Sequence, residues 1–459
     1  MSGYSEFNDD TIVALATPPG LGAIGIIRLS GDDSITIANE VFRSKNLLKQ
    51  KTHTIHFGKI MDGDTVIDEV LLSLFIAPKS YTRENVVEVS CHGSNYVLEK
   101  IIKLLIRHGA RHAKPGEFTK RAFLNGQFDL AQAEAVADLI NSDSEASHMA
   151  AMNQMRGGFS RQIHELREKL IHFASMIELE LDFSEEDVEF ASRNELRKLV
   201  MSISQVVLPL IDSFNVGNVI KNGVPTVIAG KPNAGKSTLL NALLNEEKAI
   251  VSDIPGTTRD FIEDEIHIEG ISFRFIDTAG IREAKDKIEA IGVERTKDKM
   301  RQASIIIYLF DISEESVSDI NKEINVLENL GIPFIKVGNK TDKVSPEALT
   351  QLESIEDMIF ISAHDMEHID LLKKKLIEKT SLGNFKSGNT MVTNIRHFES
   401  LTETNRALDD VLRGIDTGVT NDFLALDIRQ ALHHLGEITG EITTDDLLGN
   451  IFSKFCIGK

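Results

Sequence analysis

Residues Gly230–Ser237 read GKPNAGKS, a glycine-bounded loop that ends in Lys-Ser and directly follows the β-branched run TVIAG. Glycines in such a loop let successive backbone N–H groups turn inward around phosphate oxygens, and the helix that follows adds its N-terminal dipole. Lys236 is placed to reach the β- and γ-phosphates, and the Ser237 hydroxyl to ligate Mg2+. Alone, the pattern is also met by a Gly-rich strand-to-helix turn with an exposed lysine. Three further segments in the right order select the nucleotide reading. Asp277-Thr278-Ala279-Gly280 closes the run ISFRFI, where the carboxylate can hold Mg2+ through water and the Gly280 amide can face the γ-phosphate. NKTD, with Asn339, Lys340 and Asp342, follows PFIKVG; the Asp342 carboxylate can accept both N–H donors of a guanine edge, which adenine does not offer. Ser362 and Ala363, in the SAH after MIFI, add a backbone contact to the base. Four such segments, each behind a strand-like run, read as a GTP-binding domain.

What is missing is as informative. The residue after DTAG is Ile281, where Ras-like GTPases carry the glutamine that orients the attacking water. An apolar side chain cannot do that, so water positioning and charge neutralisation must come from elsewhere. Asn233, inside the phosphate loop, can lend its amide oxygen to a monovalent cation near the β/γ bridge, in place of an arginine finger. The polar segment Val251–Asp260 can wrap carbonyls around that cation and offer Thr258 to Mg2+. Asn233 is equally a common turn former, and Arg259–Asp260 reads equally as a solvated surface pair.

These segments must be positioned by a chain of 459 residues, enough for roughly three domains. Hydrophobic residues make up 42% and charged residues 26%, ordinary for a soluble globular protein. Cys91 and Cys456 are too few for a disulfide framework or a Cys-based zinc site, which points to a reducing compartment. The N-terminus lacks the basic and apolar halves of a signal peptide. The longest apolar run, Ile305–Phe310, falls short of the ~18–20 residues of a membrane span, so a cytoplasmic protein without a membrane segment is expected. A net charge of −20 argues against a stand-alone nucleic-acid binder held by counterion release, and leaves room for a partner that supplies the RNA surface.

Residues 1–125 pattern as a small mixed α/β unit. Ala23–Gly31, Thr54–Phe57 and Glu69–Ala77 look like strands, and Val97, Ile101, Leu104 and Leu105 mark an amphipathic helix ended by Gly109. From Asp129 to about Phe214 the pattern is helical, interrupted by the acidic FSEEDVEF, and NVGNVIKNGVP (Asn215–Pro225) breaks the helices. Between Val224 and Lys379, β-branched runs alternate with helical stretches, the rhythm of a mostly parallel sheet with crossover helices. SLGNFKSGNT is a second break, after which helical periodicity returns. The expected fold is multidomain, α/β and α. An N-terminal α/β domain (1–125) precedes a helical domain in two parts (126–216 and 383–459), with a Ras-like P-loop G domain (217–382) inserted between them.

Long, widely spaced segments carry a closer likeness. TIVALATPPGLGAIGIIRLSG, KPGEFTKRAFLNGQFDLAQAEAVADLI, IVSDIPGTTRD, DTAGIRE and the terminal DDLLGNIFSKFCIGK resemble the tRNA modification GTPase family MnmE, also called TrmE, over nearly the whole chain. The resemblance implies a homodimer joined through an N-terminal folate-binding domain, and a central helical domain carrying the G domain. It also implies a flavoprotein partner, MnmG, in a heterotetramer. Together they would install an aminomethyl or carboxymethylaminomethyl group on carbon 5 of the wobble uridine of certain tRNAs. The one-carbon unit would come from 5-formyltetrahydrofolate or a related tetrahydrofolate.

The resemblance also implies roles residue by residue. GTP contacts fall on Asn233, Ala234, Gly235, Lys236, Ser237 and Thr238, and on Ser252, Asp253, Ile254, Pro255, Gly256, Thr257 and Thr258. Asp277, Thr278, Ala279, Gly280, Asn339, Lys340, Asp342, Ser362 and Ala363 complete that set. Ser237 and Thr258 would hold Mg2+, while Asn233 and the carbonyls of Ser252, Ile254 and Thr257 would hold K+. Glu289, in AKDKIEA, matches the water-orienting glutamate. Arg28, Glu88 and the terminal Lys459 match folate contacts, the cations suiting the glutamate tail and the carboxylate the pterin donors. One position departs: Gln127 stands where many members carry lysine, and brings a hydrogen bond without charge. Cys456 invites a nucleophile reading, yet no base flanks it, and a small buried hydrophobe fits equally. His433–His434 reads as helix surface, since adjacent residues do not share a helix face.

Two rivals belong to other classes. A GTP-switch ribosome-assembly factor requires a basic RNA-binding appendage, and a membrane-assembling GTPase requires an amphipathic or basic membrane face. The flanking segments offer neither.

Overall fold

The computed structural model describes residues 10–182, 192–248, 264–276, 300–380 and 390–458. The chain divides into two compact units, one of residues 1–137, 154–193 and 413–459, the other of 138–153 and 194–412.

In the first unit, β1 (Ile12–Leu15), β2 (Ile24–Ser30), β3 (Phe42–Arg43), β4 (Thr54–Asp62), β5 (Thr65–Phe75), β6 (Val86–His92) and β7 (Arg111–His112) form one sheet, ordered β3-β4-β5-β6-β2-β1-β7. Neighbours are antiparallel except β1 with β7. Side chains alternate across a strand, so β1 feeds two cores. Val13 joins the core beneath α1 (Ser34–Val41) and α2 (Asn95–Arg107), while Ile12 and Ala14 pack with Phe118 of α3 (Glu117–Leu124). On α2 the buried stripe is Leu98, Ile101, Leu104 and Leu105; Val97, expected at its start, is only half-buried, and Leu98 takes its place. Gly109, at φ 111°, ends the turn beyond that helix in the left-handed region that favours glycine.

The segment KPGEFTKR folds into a charged network that the sequence alone does not disclose. Arg121, 7% exposed, donates to the Asp10 carbonyl at 2.9 Å and to Asp10 Oδ1 at 2.7 Å, and lies 3.3 Å from Glu84 and from Glu117. Arg111 donates to Asp10 at 2.5 Å and to Glu117 at 2.6 Å. The strand start before β1, β7 and α3 are thus tied by charge as well as by apolar contact. Helices α4 (Leu130–Asn141), α5 (Glu145–Met155) and α6 (Gly158–Asp182) come next in the chain, with nearly all of α5 belonging to the second unit. In the first unit α6 pairs with the helix Asn421–Thr439, and Leu130 and Ala133 pack on Leu448 and Phe452 of the helix Asp445–Ser453.

The second unit carries the long helix α7 (Arg193–Asn222), which corrects one boundary. Asn215–Asn222 does not break the helices but continues α7 to Gly223, at φ 74°. Gly217 serves packing there: a Cβ would sit 2.2 Å from the Val392 carbonyl oxygen, so the glycine marks a close approach rather than a stop. By length and composition alone α7 is the one described helix able to cross a membrane, with mean hydropathy 1.5 in its most apolar stretch. Counting uninterrupted apolar runs misses it, because Ser202, Ser204, Gln205 and Asp212 interrupt them. Its buried residues Leu196, Val200, Ile203, Val207 and Leu210 recur every three or four positions, a one-sided stripe suited to packing on protein.

Next comes a six-stranded sheet of β8 (Val224–Gly230), β9 (Asp264–Ile268), β10 (Ile271–Phe275), β11 (Ile305–Asp311), β12 (Phe334–Asn339) and β13 (Met358–Ile361). Its order is β13-β12-β11-β8-β10-β9, parallel throughout except for β9 at the edge. All seven residues of β11 are buried, as a parallel strand covered on both faces must be. Ile305, Ile307 and Leu309 face a core with Leu239, Leu240 and Leu243 of α8 (Lys236–Lys248). Ile306, Tyr308 and Phe310 face another, with Ile320, Ile324 and Leu327 of the helix Val317–Glu328.

Candidate functional site

In the second unit the strands that follow β8 (β9 and β10) lie on one side of it and the next, β11, on the other, so the strand order reverses beside the C-terminal end of β8. That is where an open α/β sheet leaves a crevice for ligand. The loop Gly230–Gly235 occupies this point and runs into α8. Its backbone visits the left-handed region at Asn233 (φ 65°) and Gly235 (φ 97°), the alternation that turns N–H groups toward a common centre. Lys236 folds back over the loop, its Nζ donating to the carbonyls of Gly230 and Lys231 at 2.8 Å each. Burial lowers its pKa. The lysine caps the loop rather than extending into solvent.

The expected base-binding residues converge on the same loop. Asn339, at the end of β12 and 2% exposed, donates through Nδ2 to the Ala234 carbonyl at 2.8 Å and accepts through Oδ1 the Ala363 N–H at 3.0 Å. One buried amide therefore joins the phosphate loop, NKTD and the SAH segment. Asp342 accepts a 2.8 Å hydrogen bond from the Ser362 hydroxyl, which in turn accepts the Asp365 N–H at 3.1 Å. The carboxylate is held on one side while the residue remains exposed. Ser237 and Thr238 open α8, with Thr238 exposed.

Gly235 leaves no room for substitution. A Cβ there would stand 2.2 Å from Asn339 Nδ2. Gly235→Ala is expected to displace the Asn339 amide and weaken GDP binding about tenfold or more, since a buried hydrogen bond is broken at a positive φ. Titration with a fluorescent GDP analogue measures it.

Several expected residues lie outside the described ones. These are the switch segment Ser252, Asp253, Ile254, Pro255, Gly256, Thr257 and Thr258, the DTAG residues Asp277, Thr278, Ala279 and Gly280, and Glu289 and Lys459.

The expected folate residues lie in the first unit. Arg28 and Glu88 face each other across the β2–β6 ladder and form a 2.8 Å ion pair. The Arg28 guanidinium lies over the rings of Tyr81, at 5.5 Å, and Phe118, at 5.7 Å, and donates to the Gly458 carbonyl at 3.2 Å. Gly116 N–H donates to the Cys456 carbonyl at 3.3 Å, so the C-terminal tail lies against this domain. Gln127 accepts a 3.0 Å bond from Arg83, which brings a cation beside a position expected to lack one. Gln127 and Tyr81 also line an open cleft of about 480 Å³, with His53, Phe75, Pro78, Lys79 and Ser80.

One expectation needs correction. Cys456 is exposed rather than a buried hydrophobe. The buried thiol is Cys91, whose pKa burial pushes up to about 11. His433 and His434 lie at the helix surface, as expected, and both reach Glu437, at 3.4 and 3.1 Å, because a glutamate three and four residues on can meet both. Among the described residues no group of three or more His, Cys, Asp or Glu could hold a metal.

Sequence reasoning missed one group beside the phosphate loop. Lys340 pairs with Asp311, and Lys231 with Glu315 at 2.8 Å. A carboxylate ending the fully buried strand β11 is the signal that could have revealed it.

The strand reversal at β8, the left-handed phosphate loop placed there and the amide that closes it onto NKTD define a P-loop guanine-nucleotide-binding protein. Two family models match the chain, "GTP-binding protein TrmE N-terminus" over residues 11–127 and "MnmE helical domain" over residues 130–456. A protein of Cytophaga hutchinsonii called tRNA modification GTPase MnmE is 63% identical, covering 98% of each chain. Proteins of the same name from Christiangramia forsetii and Bacteroides fragilis are 54% and 52% identical over 98% of this chain and 99% and 100% of theirs. The chain belongs to the tRNA modification GTPase MnmE family, and it binds GTP as a GTPase of that family.

Proposed function

We propose that the protein is a K+-stimulated GTPase that acts with a flavoprotein, MnmG, to modify carbon 5 of the wobble uridine of certain tRNAs. A tetrahydrofolate would serve as one-carbon donor. The observation that carries the hydrolytic part is Asn233. It is an exposed non-glycine residue held left-handed in the phosphate loop, next to Ala234, whose carbonyl Asn339 takes. Such a residue is fixed in backbone and exposed in the loop that would hold the phosphates, as a cation ligand needs. Bound K+ and Mg2+ would neutralise charge at the β/γ-phosphates. The chain's part is to place ligands: Asn233 with the carbonyls of Ser252, Ile254 and Thr257 for K+, Ser237 and Thr258 for Mg2+. Lys236 holds phosphate oxygens, and Glu289 orients the water that Ile281 cannot.

The folate reading rests on the Arg28–Glu88 pair, the aromatic wall of Tyr81 and the adjoining cleft. A flat ring with a carboxylated tail fits an aromatic face beside a cation and a carboxylate. Folate, when bound, supplies the one-carbon unit; the residues bind and orient it. The same reading makes the protein a cytoplasmic homodimer, and the G domain (217–382) an insertion between two helical parts. The family model that spans residues 130–456 encloses that insertion.

The test is GTP turnover in matched K+ and Na+ buffers, on the wild type and Asn233→Ala. Stimulation by K+ of about tenfold or more, absent in the variant, is expected, since one well-placed charge contributes at least about 1.4 kcal/mol to such a transition state. Equal, slow rates in both salts would overturn the cation reading and favour a switch that waits for an external activator.

A further inference from the structure

We propose that Asp311 is a positioning residue for guanine recognition: it pins Lys340, and through it the strained turn that aims Asp342.

Asp311 ends β11 and stands opposite Asn339 in the β11–β12 ladder. It is 4% exposed, and a buried carboxylate must find partners. It finds three: the Lys340 ammonium, the Ser313 hydroxyl at 2.5 Å and the Ser313 N–H at 3.1 Å. Burial raises its pKa, but the bonds from Lys340 and Ser313 outweigh that and lower it overall, so the group stays charged. Its own N–H donates to Glu315 at 3.0 Å, and Glu315 holds Lys231 of the phosphate loop.

Lys340 has φ 74°, a left-handed conformation that a long side chain adopts only under constraint. The constraint on its backbone comes from both sides. Asn339 is fixed by Ala234 and Ala363, and the Lys340 carbonyl accepts the Lys343 N–H at 3.0 Å. The constraint on its side chain is Asp311. Asp342 lies two residues on, inside the short 3-10 turn Thr341–Lys343 that this left-handed residue starts. If the ammonium lost its carboxylate, the turn would keep the Ser362 hydroxyl on Asp342 as a side-chain anchor but lose the one at its start, and the Asp342 carboxylate would be held less firmly against a guanine edge. The part of the base that suffers is the 2-amino group, which inosine lacks.

The inference rests on the guanine-nucleotide reading, and the experiment separates the two. Affinities for GDP and inosine diphosphate are measured on the full-length protein, for the wild type, Asp311→Asn, Lys340→Met and the double variant. Asp311→Asn is expected to weaken GDP about tenfold and inosine diphosphate less, so that the preference for GDP shrinks. Lys340→Met should do the same, and the double variant should be no worse than either single one. Equal losses for both nucleotides, unchanged affinities, or additive losses in the double variant would each overturn the proposal. A lower melting temperature with affinities intact would reduce Asp311 to a structural role. Should Asp311→Asn melt before titration, Lys340→Met on the more exposed partner carries the same comparison. If the wild type itself binds GDP no better than inosine diphosphate, the guanine reading fails, and not merely the part given to Asp311.

Discussion

Asp342→Asn is expected to lower GDP affinity by about 10²–10³-fold and to raise affinity for xanthosine diphosphate. A carboxylate here can accept the ring N–H and the 2-amino group of guanine together, and each charge-assisted bond contributes roughly 1.5–3 kcal/mol. An amide removes one acceptor and turns a donor toward the 2-amino group, which costs about 3–4 kcal/mol in total. Xanthine carries a carbonyl at that carbon and accepts the new donor. Because Ser362 holds Asp342 Oδ1 at 2.8 Å, and an asparagine oxygen can still accept from the hydroxyl, the change should leave the loop in place. Competition titrations with the two diphosphates decide the matter: equal losses for both would mean that Asp342 does not read the base.

Arg121→Met is expected to cost about 3–5 kcal/mol in the stability of the first unit, the usual result of removing one partner from a buried ion network. Methionine matches the length of the arginine stem, so the loss is charge and not volume. It leaves Asp10, Glu84 and Glu117 facing one another, with Arg111, itself 38% exposed, still paired to Asp10 and Glu117. Hydrogen exchange on amides of β1 and β7 localises the effect, which a melting curve of the whole chain would blur. The same network sets an acid limit. Burial raises the carboxyl pKa values of Asp10 and Glu117, but hydrogen bonds from Arg111 outweigh it, helped at Asp10 by Arg121, and both end lowered. A carboxyl depressed in the folded state contributes stability above its unfolded pKa and loses it as pH falls through the folded value. The first unit should therefore weaken below about pH 4.5, and Arg121→Met should flatten that dependence. An unchanged acid profile in the variant would place the acid sensitivity elsewhere.

The phosphate loop was legible because its chemistry is local. Gly230, Asn233, Gly235 and Lys236 lie within seven residues, and their spacing dictates the backbone turn whatever surrounds it. The strands of the second sheet were legible for a similar reason: β-branched runs buried on both faces have no helical alternative of that length. The antiparallel edge β9 and the short strands β1, β3 and β7 went unread, since brief runs carry little periodicity. The supposed break at Asn215 failed because Gly217 is small for a neighbour, Val392, that lies far along the chain.

The sequence by itself determined the family, the nucleotide class and the order of the motifs, because each rests on residue types at fixed short spacing. Only the tertiary structure decided which groups meet. Asn339 joins Ala234, 105 residues away, and Arg121 joins Asp10, 111 residues away. Asp311 takes Lys340 across two parallel strands, and Arg28 takes Glu88 across two antiparallel ones. Such pairings follow from strand order and register, which are set by how apolar faces pack together across the whole fold, and no short stretch of residues records that.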